Sequence, residues 1–214
     1  MKSIVRFLSI AAVAVLALSA CSKDNAKYDN VGDNTNDNIG YLALHSMEAS
    51  LLEDTDNVDT ETRAGSIDIN TFDVVISKGD QTLMSFKYGE RPTEPIALEA
   101  GVYKVAMSSA AMQGAAWEAP VYAGQKEVTV TRKQTTKVED LVCKLANIKV
   151  TVAYSADLAE QLDPTHTKMT VELEKSGLEY AFTETRAGYF APVAVENTLK
   201  LTFNCRYKGE SKDI

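Results

Sequence analysis

FDVVISKGDQTLMSFKY, running from Phe72 to Tyr88, decides the fold class. Phe72, Val74 and Ile76 fall on one side of an extended chain, Lys78-Gly79-Asp80 supplies a turn, and Met84, Phe86 and Tyr88 fall together after it. Successive strand side chains point to opposite faces, so two such runs joined through a glycine turn form an antiparallel hairpin with one buried side. The pattern repeats downstream. Arg91-Pro92-Thr93-Glu94-Pro95 breaks the chain, "IAL" follows, and Glu99-Ala100-Gly101 introduces "VYKVAMS". After Trp117 come "KEVTVTR", "TKVEDLVCKL" and "NIKVTVAY", then "KMTVELE", "LEYAFT", a short piece at Tyr189-Phe190, and "TLKLTFNCRY". Helical periodicity emerges only over Ala156 to Leu162. Short, evenly spaced strands rich in Val, Ile, Thr, Tyr and Phe predict a mainly β protein of antiparallel sandwiches. We expect one sandwich over residues 41–142 and a second over 143–214. The second is short of strands. Leu199, Leu201, Phe203, Cys205 and Tyr207 form an apolar face with little text left to cover it, so this domain is either completed by another chain or abbreviated.

Upstream of the hairpin the text changes character. Residues 1–20, MKSIVRFLSIAAVAVLALSA, combine Lys2 and Arg6 with an apolar run from Phe7 to Leu18, which predicts an export signal too short to span a bilayer. The signal ends in Leu18-Ser19-Ala20-Cys21, a lipobox, making Cys21 the expected lipid acceptor and the membrane an expected partner. The competing expectation is a soluble secretory signal that happens to end at cysteine. Three acyl chains, at roughly 0.8 kcal/mol per buried methylene, hold a protein on a membrane. Loss of residues 1–20 removes two cations, leaving 20 Lys and Arg against 30 Asp and Glu. So acidic a chain is a poor partner for nucleic acid or for an anionic lipid surface.

Residues 21–40 are dense in Asp and Asn and bury nothing, which predicts a disordered tether with a reach on the order of 25 Å. Asp33, Thr35 and Asp37 lack the glycine and glutamate of a calcium loop. Tyr41 to Leu52 is apolar and suits a strand or a short helix. It is followed by the polar, acidic EDTDNVDTETRAG.

No catalytic residues, cofactor site or metal site are expected. His45 and His166 stand apart, no nucleophile or phosphate-loop motif is present, and Glu172, Glu174 and Glu179 sit in alternating runs as the wet face of a sheet. Trp117, the one tryptophan, lies near Tyr122 in GAAWEAPVYAGQ. Together they are candidates for stacking on a glycan or anchoring a host protein, or the Trp117 ring plugs the end of a sandwich core. With Cys21 acylated, Cys143 and Cys205 are free to form one disulfide or to remain two buried thiols.

The pentapeptide ETRAG occurs at residues 61–65 and again at 184–188 without flanking similarity. Arg63 falls in the acidic loop, whereas Arg186 falls at a strand end, where backbone pairing resists proteolysis. Several segments carry a resemblance: LSAC at 18–21, TRAG at 62–65, EPIALEAGVYKVAMSSA, the W-x-x-P-x-Y-x-G of Trp117 to Gly124, and LANIKVTVAY. The chain resembles the fimbrillin-like surface lipoproteins of Bacteroidota, and within them the Bacteroides lipoprotein domain of unknown function 4493. The resemblance implies an outer-membrane lipoprotein, surface-exposed or in a fimbrium, made of two transthyretin-like, Greek-key sandwiches. It further implies cleavage at Arg63-Ala64 by an Arg-specific protease, freeing the lipid and opening a groove that a neighbouring pilus subunit's strand fills. A surface protein that stays anchored and binds glycan or host protein through its loops is the alternative.

Overall fold

The protein is described here by a computed structural model, which covers residues 38–52, 67–193 and 196–213. Cys21, the tether up to residue 37 and Arg63-Ala64 lie outside these residues; the tether expected to reach residue 40 ends earlier, because Ile39 and Gly40 already pair in a strand with Glu99 and Leu98. In chain order the strands are β1 (Ile39–Ala43), β2 (Ala49–Leu51), β3 (Asp73–Lys78), β4 (Gln81–Lys87), β5 (Ile96–Glu99), β6 (Gly101–Ser108), β7 (Ala115–Trp117) and β8 (Tyr122–Val130). They continue as β9 (Thr135–Lys137), β10 (Leu141–Leu145), β11 (Ile148–Val150), β12 (Lys168–Leu173), β13 (Ser176–Ala181), β14 (Gly188–Phe190) and β15 (Lys200–Asn204), with helix α1 (Ala156–Gln161) between β11 and β12. The mainly β, antiparallel reading is the observed one.

A six-stranded sheet in the order β2-β10-β8-β6-β3-β4 faces a three-stranded sheet in the order β5-β1-β9. The opening hairpin lies at one side of the large sheet, with Val74 opposite Phe86 and Ile76 opposite Met84, and a register shift follows at Ile76/Ser77. Alternation then does the packing. Val74, Ile76, Tyr103, Val105, Met107, Leu141 and Cys143 of the large sheet join Leu42 and Leu44 in one buried core. Two pairings are parallel, β1 with β9 and β2 with β10, so the N-terminal segment is woven into both sheets.

The second core lies between two three-stranded sheets, β11-β14-β7 and β13-β12-β15. Val171, Leu173, Tyr180 and Phe190 are its buried centre. Outward-facing Glu172 and Glu179 form ion pairs with Lys200 (2.8 Å) and Lys168 (2.7 Å), the wet face expected of an amphipathic sheet. Glu174 differs: it sits in the β12–β13 turn at φ 50°. Strand β7 comes from the chain between β6 and β8 of the first sandwich, yet pairs with β14 of the second. Asn147, at the junction between β10 and β11, holds this crossing loop. Its Oδ1 accepts from the Val121 N–H at 3.1 Å and its Nδ2 donates to the Ala119 carbonyl at 2.8 Å.

Candidate functional site

Tyr41 to Leu52 read as an apolar run suited to strand or helix, and the structure makes residues 38–52 two strands joined by a turn. β1 is the central strand of the small sheet, antiparallel to β5 and parallel to β9. Leu42, Ala43, Leu44 and Met47 are almost completely buried. The Tyr88 hydroxyl, itself in the core, donates to the Met47 carbonyl at 2.9 Å. β2 borders β10, where the Leu52 N–H donates to the Cys143 carbonyl at 2.9 Å. Burying Leu42, Leu44 and Met47 contributes roughly 5 to 9 kcal/mol. That is a large part of the net stability of a small domain. Covalently, this segment reaches β3 only through residues 53–66, which contain Arg63-Ala64. Removing it would strip β1 from the middle of one sheet and β2 from the edge of the other, leaving an apolar slot between β5 and β9 and uncovering β10.

Trp117 and Tyr122 do not form one patch. The Tyr122 side chain packs against the first core, and its N–H donates to Ser109 Oγ at 3.0 Å. Trp117 packs against the second, edge-on to Tyr180 with ring centroids 4.6 Å apart. Its indole is also covered by the Arg186 guanidinium, 4.7 Å from the ring centroid. Arg186 in turn is fixed by Glu184, whose two carboxylate oxygens accept from Nε (3.0 Å) and Nη2 (2.6 Å) while Oε1 also accepts the Arg186 N–H. The bond to the Arg186 side chain holds the Glu184 carboxyl down at about 2. Backbone pairing completes the arrangement, since the Glu118 N–H donates to the Ala187 carbonyl at 2.9 Å. Gly188 is obligatory: a Cβ there would lie 2.1 Å from the Tyr180 hydroxyl. Burial drives that hydroxyl up to about 12, and it donates to the Val150 carbonyl at 3.1 Å. The second ETRAG is thus a latch over Trp117. Of its partners, Trp117 lies far from it in sequence and Tyr180 carries no motif, and sequence spacing alone does not bring them together.

The face from Leu199 to Tyr207 is partly covered. Cys205 is buried and Leu199 packs against the second core, but Leu201 is 61% exposed and Phe203 and Tyr207 are each 38% exposed. Cys143 lies in the first core, where burial raises its thiol, and both cysteines are free. On the outer side of the six-stranded sheet, small side chains including Ala106, Ser108 and Ala123 leave an open trough of about 360 Å³, bordered by Asp73 and Gln125. Among the described residues no cluster of three or more metal-ligating side chains occurs, and no helix is long and apolar enough to cross a membrane.

These features define a class: a mainly β protein with two sandwich cores and an N-terminal strand pair integral to the first. The chain belongs to the DUF4493 family, a domain of unknown function, whose profile matches residues 38–213 and so spans both cores. No curated protein matches it. Among solved structures it is similar to a candidate adhesin from Bacteroides ovatus ATCC 8483, at 7% identity over 92% of this chain and 86% of that one, with a TM-score of 0.41. A second candidate adhesin from Bacteroides ovatus matches at 12% identity, 68% and 67% coverage and a TM-score of 0.35. A candidate polysaccharide-binding protein from Bacteroides thetaiotaomicron matches at 11% identity, 68% and 70% coverage and a TM-score of 0.36. Likeness this distant carries no functional argument.

Proposed function

We propose that this protein is a non-enzymatic, lipid-anchored cell-surface protein of the outer membrane, acting as a fimbrillin-like pilus subunit or pilus-associated adhesin that assembles by strand addition. Residues 1–20 form the export signal, Cys21 carries the lipid, and the chain ahead of β1, to residue 38, is the tether. Residues 39–142 and 143–214 form the two domains, with β7 lent across the boundary.

The observation that carries this reading is the place of β1: a buried central strand whose only covalent path to the rest of the fold runs through Arg63-Ala64. Cleavage there severs the covalent link between lipid and sandwich, leaving β1 held by its contacts alone. A neighbour's strand with alternating apolar side chains then replaces β1 between β5 and β9, because main-chain hydrogen bonds and alternate side-chain pockets are satisfied by any strand of suitable pattern. The test is Arg63→Ala in the native host. Strand addition predicts loss of high-mass surface polymers with the monomer retained on the membrane; unchanged polymers would rule out processing at this bond.

Permanent anchoring with glycan or host protein bound at the surface is the second reading, favoured by the open trough beside Asp73 and Gln125. Trp117 is a poor platform for such binding, with one face under Arg186. A glycan array on the intact lipoprotein, repeated with Ala106→Trp to fill the trough, tests it: binding that survives the substitution excludes this surface.

A further inference from the structure

We propose that β15 is a homotypic edge, at which two copies of this chain pair their β15 strands antiparallel about a two-fold axis through Thr202. The proposal does not depend on cleavage at Arg63. Among the described residues β15 pairs with β12 alone, leaving its other side free. Residues directly opposite across a ladder share a face. Leu201 lies opposite Val171 and Phe203 opposite Met169, yet Val171 is fully buried while Leu201 is 61% and Phe203 38% exposed. Tyr154 covers part of Phe203, with ring centroids 5.9 Å apart, but beyond it the inner face runs past its cover at β15, and its apolar row is unfinished at Leu201.

A second copy finishes it with matching chemistry. Antiparallel pairing about Thr202 sets Leu201 opposite Phe203 of the other copy, so apolar meets apolar on the inner face. On the outer face Thr202 meets Thr202 and Lys200 meets Asn204. No like charges oppose, and Lys200 is already neutralised by Glu172 at 2.8 Å. Neighbouring registers are worse. An axis through Phe203 would set Lys200 against Arg206, and one through Leu201 would set Phe203 opposite Leu199, which is already packed in the second core. Other edges lack this self-complementarity: β2, β7, β9 and β11 are three residues each, and β5 and β13 expose no large apolar side chain. β4 is long enough, but its exposed apolar residue, Leu83, alternates with Ser85 and Lys87. Natural sheets usually blunt an edge with charge, proline or shortness, and β15 does none of these on its inner face.

A five-residue edge makes a weak contact, so the test traps it. Thr202→Cys is introduced into the full chain carrying Arg63→Ala, which separates this contact from any cleavage-dependent exchange, and mild oxidant is added. The prediction is a new species of twice the chain mass on a non-reducing gel, lost when Leu201→Lys is added. Mixing Lys200→Cys with Asn204→Cys chains crosslinks them while neither does so alone. Leu83→Cys on β4 serves as the control. Because the chain is acidic, added salt should raise the covalent dimer by screening. The proposal is overturned if Thr202→Cys, with the near-ultraviolet spectrum of the parent, crosslinks no more than Leu83→Cys, whether the chain stays monomeric or another protein is captured instead.

Discussion

Glu184, Arg186 and Trp117 show what the second of the two ETRAG copies does in the fold. At 184–188 the arginine is pinned by a carboxylate, stacked on an indole and followed by a residue whose carbonyl is in a ladder. A protease needs an extended, accessible strand at its cut site, so this copy is expected to resist cleavage. Trp117→Ala removes the stacking partner and part of the second core. It should destabilise the fold by about 2 kcal/mol, below the usual range because the ring is half-buried, and trypsin should then cut after Arg186 faster than in the parent; urea melting and mass spectrometry of digests check both. Glu184 adds a pH dependence. Its carboxyl is held at about 2, below its ordinary value of 4.5, so its contribution is complete above that ordinary value and is lost as pH falls through about 2. Fluorescence of the sole tryptophan should therefore hold steady from pH 7 to 5 and change as pH approaches 2, and Glu184→Gln should abolish that change. A step centred above pH 4 in the parent would contradict the assignment. In sequence, Trp117 stands out by being single, whereas Tyr180 and Glu184 look like any strand tyrosine and any loop acid; only the fold juxtaposes them.

Strands with sustained alternation were legible from sequence because period two and turn residues coincide: β3, β4, β6, β8 and β12 all follow from it. Even the short β14 is anticipated by Tyr189-Phe190, and α1 by its periodicity. β7 is not, since three residues cannot display a period, and it reads as loop text until β14 is beside it; TKVEDLVCKL reads as one strand, whereas the structure divides it between β9 and β10. Similarly, "NIKVTVAY" alternates throughout, but only Ile148–Val150 finds a ladder, leaving Tyr154 to stack on Phe182 at 4.9 Å. β1 and β2 were ambiguous because an apolar run without clear period suits strand or helix alike. Their burial has a consequence. Cutting after Arg63 breaks a covalent link but none of the contacts of Leu42, Leu44 and Met47, so the nicked chain should stay together. Size-exclusion chromatography of the Arg63-cut protein should show fragment and body co-eluting in buffer and separating only in denaturant or with excess β1-like peptide. Immediate separation in buffer would mean that β1 is held more weakly than its burial requires.

For the molecule as a whole, two cores share the β7 crossing and an N-terminal strand pair precedes an acidic linker; the proposed function requires such a chain to be attached first and rearranged afterwards. The lipid signal, the tether and the Arg63 linker are expectations from sequence, and the structure contributes β1 itself, the central strand of its sheet. Attachment and exchange leave opposite marks on the same atom, the first residue of the mature chain. The direct measurement is therefore the N-terminus of the protein recovered from the cell surface in its assembled form. Strand addition predicts a chain beginning at Ala64 and carrying no lipid; recovery of assembled protein beginning only at an acylated Cys21 would contradict it.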